Sequence, residues 1–446
     1  MGYGQTSQIP RARGFDSYLG YWNGAESYSN HSVGFATTNT TTNQSALGGT
    51  SPIFDFVDDT LGATATTQTG YASAGEYSTH VFSRRAVDII NAAAAAESRV
   101  SWFIYLAYQA VHWPLEAPAA TVARFPHIPD SNRRLVAAMA SEMDTGIGQI
   151  VGNLTAAGEL ETTLICFTSD NGGPTNGFES TQSNNYPLRG GKKTMWEGGT
   201  RVVGLVSGFG IAARGQTYEL FYCADWLPTL VGLAMGSDHG VEAWRNLIPS
   251  GEPKFLPDLG DGIDNWPMLS GNGKSRRTEH LVEAHKPKKI VVDQALIVGN
   301  WKILRQATKI NTAWELEQGW FPPPGQDPSK TNYSLSCGHV PPPENYSNCN
   351  STEFCLFDVG GSDPCEHHDV AAEHPDVVKR LVERLAQYQD SVDERICGRG
   401  VDPEANDSNL CGCWPDVRPD GGMSAGGFSW APCDLPVGPS DKRDEL

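Results

Sequence analysis

The sequence predicts an α/β fold in which helices cover a parallel or mixed sheet, followed by a smaller antiparallel domain. Two observations predict the sheet: residues 99–115 and 162–170 each carry a continuous apolar stretch, and a segment with helical periodicity precedes each of them. A third observation, the change near Gly260 to short β-rich segments, predicts the smaller domain. We place the larger domain at 1–258 and the smaller one at 259–395.

The first predicted helix and strand lie at 80–98 and 99–115. Apolar residues recur at helical spacing in the first segment, and good helix formers follow them. The second segment combines aromatic and aliphatic residues up to the break at Pro114. We therefore predict a surface helix followed by a strand that is buried on both faces.

A second helix and two further strands follow. Asp130 and Ser131 can cap a helix whose apolar residues recur at steps of three and four until Gly158. The runs TTLICFTSD and TRVVGLVSGF then predict strands at 162–170 and 200–209. Buried strands that alternate with helices are typical of a sheet covered on both faces.

The smaller domain is predicted from shorter elements. Two β-rich runs separated by Gly299 and Asn300 predict a hairpin, and 372–394 predicts a helix. A Pro- and Asn-rich loop occupies 321–354. The remainder, 396–446, is a Cys-rich tail without periodicity.

Charge and hydropathy exclude two classes of partner. The net charge of −19 repels polyanions, so we predict no nucleic-acid partner. No apolar run reaches the roughly 18 residues that cross a bilayer, so we predict no transmembrane segment. The first residues also lack the charged and apolar regions of a signal peptide, and these features alone indicate a cytosolic protein.

Three other features indicate the secretory pathway. Eight of the ten cysteines fall in the last 110 residues, a spacing typical of disulfides. The C-terminal RDEL resembles the KDEL and HDEL signals of the endoplasmic reticulum lumen, although lysosomal or secreted destinations stay open. Eight N-x-S/T sequons begin at Asn30, Asn39, Asn43, Asn153, Asn332, Asn345, Asn350 and Asn406. We therefore hypothesise that an N-terminal part is missing and that Met1 is internal.

Asp170 and Asn171 end the apolar run at 162–170. In open α/β sheets, ligands bind outside the carboxyl ends of the strands, where these two residues are predicted to lie. A carboxylate beside an amide oxygen suits Ca²⁺ or Mg²⁺. Asn-Gly is also a strong turn pattern, so a simple strand-ending turn remains the alternative.

Two further segments carry candidate residues. His112 follows the run at 99–115 closely enough to reach the same crevice as a proton donor, with a structural histidine as the alternative. Arg189, Lys192 and Lys193 lie among glycines in an otherwise acidic chain, where lysine can bind an oxyanion, with a solvated basic loop as the alternative. The histidines of PCEHHD lack zinc-site spacing, and we expect them at the surface.

These segments, in this order, resemble the sulfatase family, in particular arylsulfatase B and its relatives. The resemblance spans nearly all of the chain up to the Cys-rich tail. The matching segments are RGFDSYLGYWNGAESY (13–28), YLAYQAVHWPLEAP (105–118), TSDNGG (168–173), PLRGGKKTMWEGGTR (187–201), DWLPTL (225–230), DGIDNW (261–266), GWFPPP (319–324) and CLFDVGGSDPCEHHDV (355–370).

The resemblance implies an alkaline-phosphatase-like α/β sandwich and a calcium-dependent hydrolase of sulfate esters. The substrate would be a sulfated carbohydrate or an aryl sulfate. Asp170 and Asn171 would ligate calcium, Lys192 would bind the sulfate oxygens, and His112 would face the leaving group. Asp170 would also help to deprotonate the nucleophile.

One departure from the family concerns the nucleophile. Sulfatases use a formylglycine made from Cys or Ser in a C/S-x-P-x-R motif, and this motif does not occur in the 446 residues. We therefore expect the chain as given to be inactive alone. A non-catalytic protein that binds anions or carbohydrates is the alternative, and phosphatase action on the same superfamily fold is a weaker one.

Overall fold

The computed structural model describes residues 10–21, 24–33, 53–54, 56–58, 75–98, 100–175, 181–212, 215–236, 261–284, 293–305, 319–322, 327, 335, 337, 349 and 353–391. The chain divides into two compact units. Unit 1 comprises 1–127, 134–153 and 393–446, and unit 2 comprises 128–133 and 154–392. The tail at 396–446 and most of the loop at 321–354 lie outside the described residues, and the predicted domain boundaries stay predictions.

Unit 1 contains helices and two short antiparallel strand pairs. The pairs are β1 (Leu19–Gly20) with β4 (Val57–Asp58), and β2 (Ser32–Val33) with β3 (Ile53–Phe54). The helices are α1 (Ser78–Ala94), α2 (Ala119–Val122) and most of α3 (Ser131–Ala156). α1 and α3 confirm the two helices predicted in this part of the chain, and the backbone N–H of Arg133 donates to Oδ1 of Asp130 (2.8 Å), which confirms the predicted cap.

The core of unit 1 is built from the apolar face of α1 and aromatic side chains. Val81 and Phe82 pack against Phe56. Met139 of α3 packs in a second cluster with Tyr77 and Tyr28. The apolar spacing of both helices therefore forms buried faces, as the periodicity predicts.

The strand predicted at 99–115 is wrong. Residues 100–115 pair with none of the strands that the structure describes, and their side chains alternate between exposed and half-buried over 101–107. Phe103 and Tyr105 are 63% and 69% exposed, so the run is not buried on both faces. An apolar run shows which residues can be buried, whereas burial itself depends on neighbours that other parts of the chain supply.

In unit 2, two strands confirm the predictions at 162–170 and 200–209. β5 (Leu164–Thr168) pairs with β6 (Gly204–Gly208), and Leu164 lies opposite Gly208. The pair is antiparallel, and the described residues show no parallel neighbour for either strand. Neither strand contains a fully buried residue, and Leu205 is 54% exposed, so the expectation of burial on both faces is wrong here too.

A four-stranded antiparallel sheet follows in unit 2, with the spatial order β10, β9, β8, β7. Its strands are β7 (Glu279–Ala284), β8 (Gln294–Val298), β9 (Trp301–Arg305) and β10 (Cys355–Asp358). β8 and β9 form the predicted hairpin, in which Val298 lies opposite Trp301. Gly299 has a φ of +58°, a conformation that glycine adopts at little cost in a two-residue turn.

Four α-helices and two 3-10 helices (Leu160–Thr162 and Cys223–Asp225) complete the described part of unit 2. The α-helices are α4 (Glu197–Thr200), α5 (Trp226–Met235), α6 (Trp266–Leu269) and α7 (Pro375–Ser391). α7 confirms the helix predicted at 372–394 and begins with proline, whose fixed φ suits a first helical position. Val377, Leu381 and Leu385 recur every four residues along α7 and are buried against Leu296, Ile303 and Leu356 of the sheet. The other face of the sheet packs around Trp196 and Phe357.

Two disulfides, Cys337–Cys365 and Cys349–Cys355, confirm the expectation of disulfide bonds. Cys397, Cys411, Cys413 and Cys433 lie outside the described residues. Among the helices that the structure describes, none is both long and apolar enough to cross a bilayer.

Replacing Leu381 should test the packing of α7 on the sheet. Leu381 is fully buried, so Leu381→Ala should lower the free energy of unfolding by about 2–5 kcal/mol, measured by urea titration. Lys379→Ala on the same helix removes an exposed side chain and should change it by less than about 0.5 kcal/mol. Equal effects of the two substitutions would contradict the packing described here.

Candidate functional site

The loop after β5 presents Asp170 at the carboxyl end of the strand. Asp170 is exposed and Asn171 is half-buried. The backbone N–H of Asn171 donates to Oδ1 of Asp170 (2.9 Å), and the side-chain N–H of Asn171 donates to the carbonyl oxygen of Gly172 (2.8 Å). The segment is therefore a strand-ending turn, and it also presents a carboxylate to solvent.

A second loop, 190–199, packs directly against this turn. The N–H of Gly172 donates to the carbonyl oxygen of Gly199 (2.9 Å), and the N–H of Lys192 donates to that of Gly173 (3.3 Å). A Cβ at Gly172 would collide with the backbone of Gly198, so a side chain there would separate the loops. The structure thus places Asp170, Asn171 and Lys192 in adjacent, hydrogen-bonded loops.

Asn185, which the sequence interpretation missed, links the two loops. Its Oδ1 accepts from the N–H of Gly173 (2.9 Å), and its Nδ2 donates to the carbonyl oxygens of Gly173 (2.7 Å) and Gly190 (3.2 Å). A side-chain amide can satisfy donors and acceptors of two backbones at once. Among the other Ser, Thr and Asn residues of this loop, nothing in the sequence singles out Asn185.

Arg189 is not available to an anion, in contrast to the expectation. The residue is 1% exposed, and its guanidinium lies 3.5 Å from the ring centre of Trp196 and 4.7 Å from that of Trp320. Its Nη1 donates to the carbonyl oxygen of Glu366 (3.4 Å). Planar stacking of this kind is a structural role of arginine.

The two lysines of the same loop differ in exposure. Lys192 is half-buried, and Lys193 is exposed with a φ of +72°.

A buried ionic cluster lies next to the 190–199 loop and was also missed. Nζ of Lys302 lies 2.9 Å from Oε1 of Glu197 and 2.8 Å from Oε1 of Glu366. Burial alone would lower the pKa of Lys302, but Glu197 and Glu366 raise it above its ordinary value. Lys302 lies on the same face of β9 as Leu304. A lysine at a position where the alternation of the strand predicts an apolar residue is the sequence pattern that could have indicated a buried lysine.

The histidines of PCEHHD differ from each other, and the expectation that both lie at the surface is wrong for one of them. His368 is exposed, whereas His367 is 4% exposed and packs edge-on against Trp320, with ring centres 4.9 Å apart. Burial lowers the pKa of His367.

His112 lies in unit 1 and is exposed. Its Nδ1 lies 2.6 Å from the carbonyl oxygen of Trp113, and its own carbonyl accepts from the hydroxyl of Tyr28 (2.9 Å). These contacts orient the imidazole with Nδ1 engaged. Its convergence with Asp170 and Lys192, which belong to unit 2, stays a prediction.

Comparison with known proteins identifies the family. A family model described as Sulfatase matches residues 1–237, slightly more than half of the chain. The chain belongs to the sulfatase family.

Among curated sulfatases, arylsulfatase J of mouse is 29% identical over 403 residues, which cover 87% of this chain and 58% of that protein. Human arylsulfatase A is 31% identical over 202 residues, which cover 45% of this chain and 35% of that protein. The chain thus spans little more than half the length of mouse arylsulfatase J and about a third of human arylsulfatase A.

Solved structures show the fold of this chain. The crystal structure of Ps i-CgsB in complex with k-i-k-neocarrahexaose is 24% identical, with a TM-score of 0.58 over 86% of this chain and 68% of that one. YidJ of Bacteroides fragilis, described as a sulfatase, is 14% identical, with a TM-score of 0.53 over 87% and 68% of the two chains. The fold is the alkaline-phosphatase-like α/β fold, with a smaller sheet domain at the C-terminal end, as predicted.

The oxygen donors of this site fit a calcium ion in kind and fall short in number. Asp170 and Asn171 offer hard oxygen atoms, but Ca²⁺ takes about six to eight of them. Within the described part of the chain, no group of three or more His, Cys, Asp or Glu side chains is placed to hold a metal ion. No catalytic step can therefore be derived through calcium from these residues.

Replacing Asn185 should test the link between the two loops. Asn185→Ala removes three hydrogen bonds to backbone and should lower the free energy of unfolding by about 1–3 kcal/mol, measured by urea titration. Asn184→Ala is the matched control, because Asn184 is exposed and water can replace its one contact with Tyr186. A loss in Asn184→Ala as large as that in Asn185→Ala would refute the linking role.

Proposed function

We propose that the protein takes part in hydrolysis of sulfate esters, with a sulfated carbohydrate or an aryl sulfate as substrate. The observation that carries the proposal is the contact of the Lys192 loop with the Asp170–Asn171 turn in a member of the sulfatase family. The ammonium group of the loop would bind an anion, and the carboxylate of the adjacent turn would bind a cation. Sulfate ester chemistry needs both kinds of site.

Within this proposal, each candidate residue has a role. Lys192 binds sulfate oxygens through its ammonium group, and His112 faces the leaving group as a proton donor. Asp170 and Asn171 contribute oxygen ligands to a calcium site that needs further ligands, and Asp170 helps to deprotonate the nucleophile. The nucleophile is a formylglycine, which the family makes from a C/S-x-P-x-R motif that the 446 residues do not contain.

The proposed substrate class has support from the names of related proteins. N-acetylgalactosamine-6-sulfatase of dog is 25% identical over 335 residues, 72% of this chain. Its name describes action on a sulfated sugar. A sulfated carbohydrate is therefore the first substrate class to assay, and an aryl sulfate is the second.

A second candidate function is binding without catalysis. The 446 residues carry the candidate anion-binding loop but not the nucleophile motif, so binding of anions or carbohydrates is a function that these residues could perform alone. The Lys192 loop and the Asp170 turn would then form a recognition surface rather than a reaction centre.

The proposed location is the secretory pathway, with residence in the endoplasmic reticulum lumen, lysosome or extracellular space. Disulfides, sequons and the RDEL tail support it. Asn30 is exposed, which makes it accessible for glycosylation, whereas the side chain of Asn153 donates to the carbonyl oxygen of Gln149 within α3 (2.9 Å). The other six sequons lie outside the described residues.

Sulfate binding tests the anion site. Lys192→Ala should weaken inorganic sulfate binding about tenfold, because a hydrogen bond to a charged group contributes about 1.5–3 kcal/mol. The measurement is calorimetric titration at constant ionic strength, with chloride as the reference anion. Lys193→Ala removes the same charge one residue away and should bind sulfate within about twofold of the unchanged chain. Equal weakening of sulfate binding by both variants would show that the loss of one positive charge, and not the position of Lys192, causes the effect.

Turnover tests whether the given chain hydrolyses a sulfate ester by itself. The 446-residue chain should release no 4-nitrocatechol from its sulfate ester above the rate of a heat-denatured sample, because it has no formylglycine motif. The assay is run in calcium-containing buffer and followed by absorbance. Turnover that Lys192→Ala abolishes would show that this expectation is wrong and would favour catalysis by the given chain.

A further inference from the structure

Lys302 is buried completely in unit 2 and contacts two carboxylates from distant segments. Its side chain has no exposed surface, and its partners are Glu197 of α4 and Glu366, which lies after β10. A buried ammonium costs several kcal/mol unless it is paired at close distance. The cluster therefore ties the strand β9 to both segments.

Glu366 contacts the end of the 190–199 loop in a second way. Its Oε2 accepts the backbone N–H of Glu197 (2.7 Å), while Lys302 contacts the side chain of Glu197. Glu197 is thus fixed through its backbone and its side chain together. One residue later, the N–H of Gly198 donates to the carbonyl oxygen of Arg189 (2.6 Å), which closes the loop that carries Lys192.

The backbone at Glu366 indicates that a side chain with an acceptor oxygen is required there. Glu366 has a φ of +59°, in the left-handed region that favours glycine. A non-glycine residue is strained in this region and persists where its surroundings determine the conformation. Glycine would relieve this strain but would lose both the ion pair and the acceptor for Glu197.

We propose that Glu366 is a positioning residue for the anion site: together with Lys302 it holds Glu197, and through Glu197 it fixes the 190–199 loop in the conformation that presents Lys192. The part of this inference that concerns the anion rests on the proposed function of Lys192. The part that concerns the conformation of the loop rests on the contacts of Glu366. Glu366 itself touches no substrate in this account.

The charges around Glu366 make the cluster sensitive to pH. Burial raises the pKa of Glu366 to about 7, although Lys302 lowers it, so the carboxyl changes charge near neutrality. Burial, together with Arg277 and Lys302, lowers the pKa of His280 on β7 to about 4, so this neighbour is neutral there. Glu197, Arg189 and His367 are the other ionisable groups at the cluster.

The direction of the pH effect follows from the raised pKa. The folded protein holds the proton on Glu366 more tightly than the unfolded chain does, so this group stabilises the fold fully below its ordinary pKa. That contribution is lost as the pH rises through about 7. At pH 6 an uncharged glutamine therefore resembles the native side chain and keeps an acceptor for the N–H of Glu197.

The test compares Glu366→Ala with Glu366→Gln at pH 6 by hydrogen exchange of backbone amides and by sulfate titration. Glu366→Ala should speed exchange in 190–199 about tenfold or more, leave exchange in α5 unchanged, and weaken sulfate binding about fivefold. Glu366→Gln should restore both values to within about twofold of the unchanged chain. Glu373→Ala removes an exposed carboxylate and is the control, with no change expected.

Three results for Glu366→Ala would overturn the proposal. The first is unchanged exchange in 190–199, and the second is exchange that rises equally in α5 and the four-stranded sheet. The third is unchanged sulfate affinity although exchange in 190–199 has become faster. If Glu366→Ala does not fold, Glu197→Ala replaces it and should also speed exchange in 190–199, and no acceleration again overturns the proposal. If the unchanged chain binds no sulfate, the proposed function fails, and the exchange data alone decide whether Glu366 holds the loop.

Discussion

A buried ammonium needs a charged partner, and in unit 2 this constraint acts at Lys302. The side chain has no exposed surface, and water cannot replace the oxygen atoms of Glu197 and Glu366. Burial of Lys302 on β9 therefore requires that α4 and the segment after β10 supply those oxygen atoms. Three segments that are far apart in sequence thus meet at one lysine.

A second set of constraints acts on the same loop. A Cβ at Gly172 would collide with the carbonyl oxygen of Gly198, a Cβ at Gly198 would collide with the backbone of Arg189 and Gly190, and Asn185 joins Gly173 to Gly190. The loop is thus fixed at Gly190 by Asn185, and at Glu197 and Gly198 by the ionic cluster and the glycine contact. These attachments act on the backbone. The positions of Lys192 and Asp170 therefore depend on backbone contacts and not on attraction between their own charges.

The sequence predicts those parts of the fold that depend on local periodicity. α1, α3, α7 and the β8–β9 hairpin follow from apolar spacing and turn residues, which act within a few residues. The burial of 99–115, β5 and β6 could not be predicted, because it depends on what the rest of the chain places against them.

The same distinction applies to the candidate site. Residue type and position predict Asp170 and Asn171 as candidates, the resemblance to sulfatases selects Lys192 from the basic loop, and the structure places their loops together. Arg189 was misjudged because its position between two tryptophans requires tertiary contacts. Glu366 has no local pattern that reveals it, since its importance comes from a lysine on a different strand.

The ionic cluster contributes more to the conformation of the loop than to the stability of unit 2. Replacing a buried ion network with well-packed apolar residues is often neutral or even stabilising, so stability alone gives no reason for Lys302 to be charged. Apolar groups can fill the same volume, but they cannot replace Oε2 of Glu366, which accepts the N–H of Glu197 (2.7 Å), or Nζ of Lys302, which pairs with its carboxylate (2.9 Å). These contacts have a required distance and direction, so they favour one position of Glu197 over others of similar packing. The 190–199 loop, rather than the hydrophobic core, is therefore the part of unit 2 that depends on the charge of Lys302.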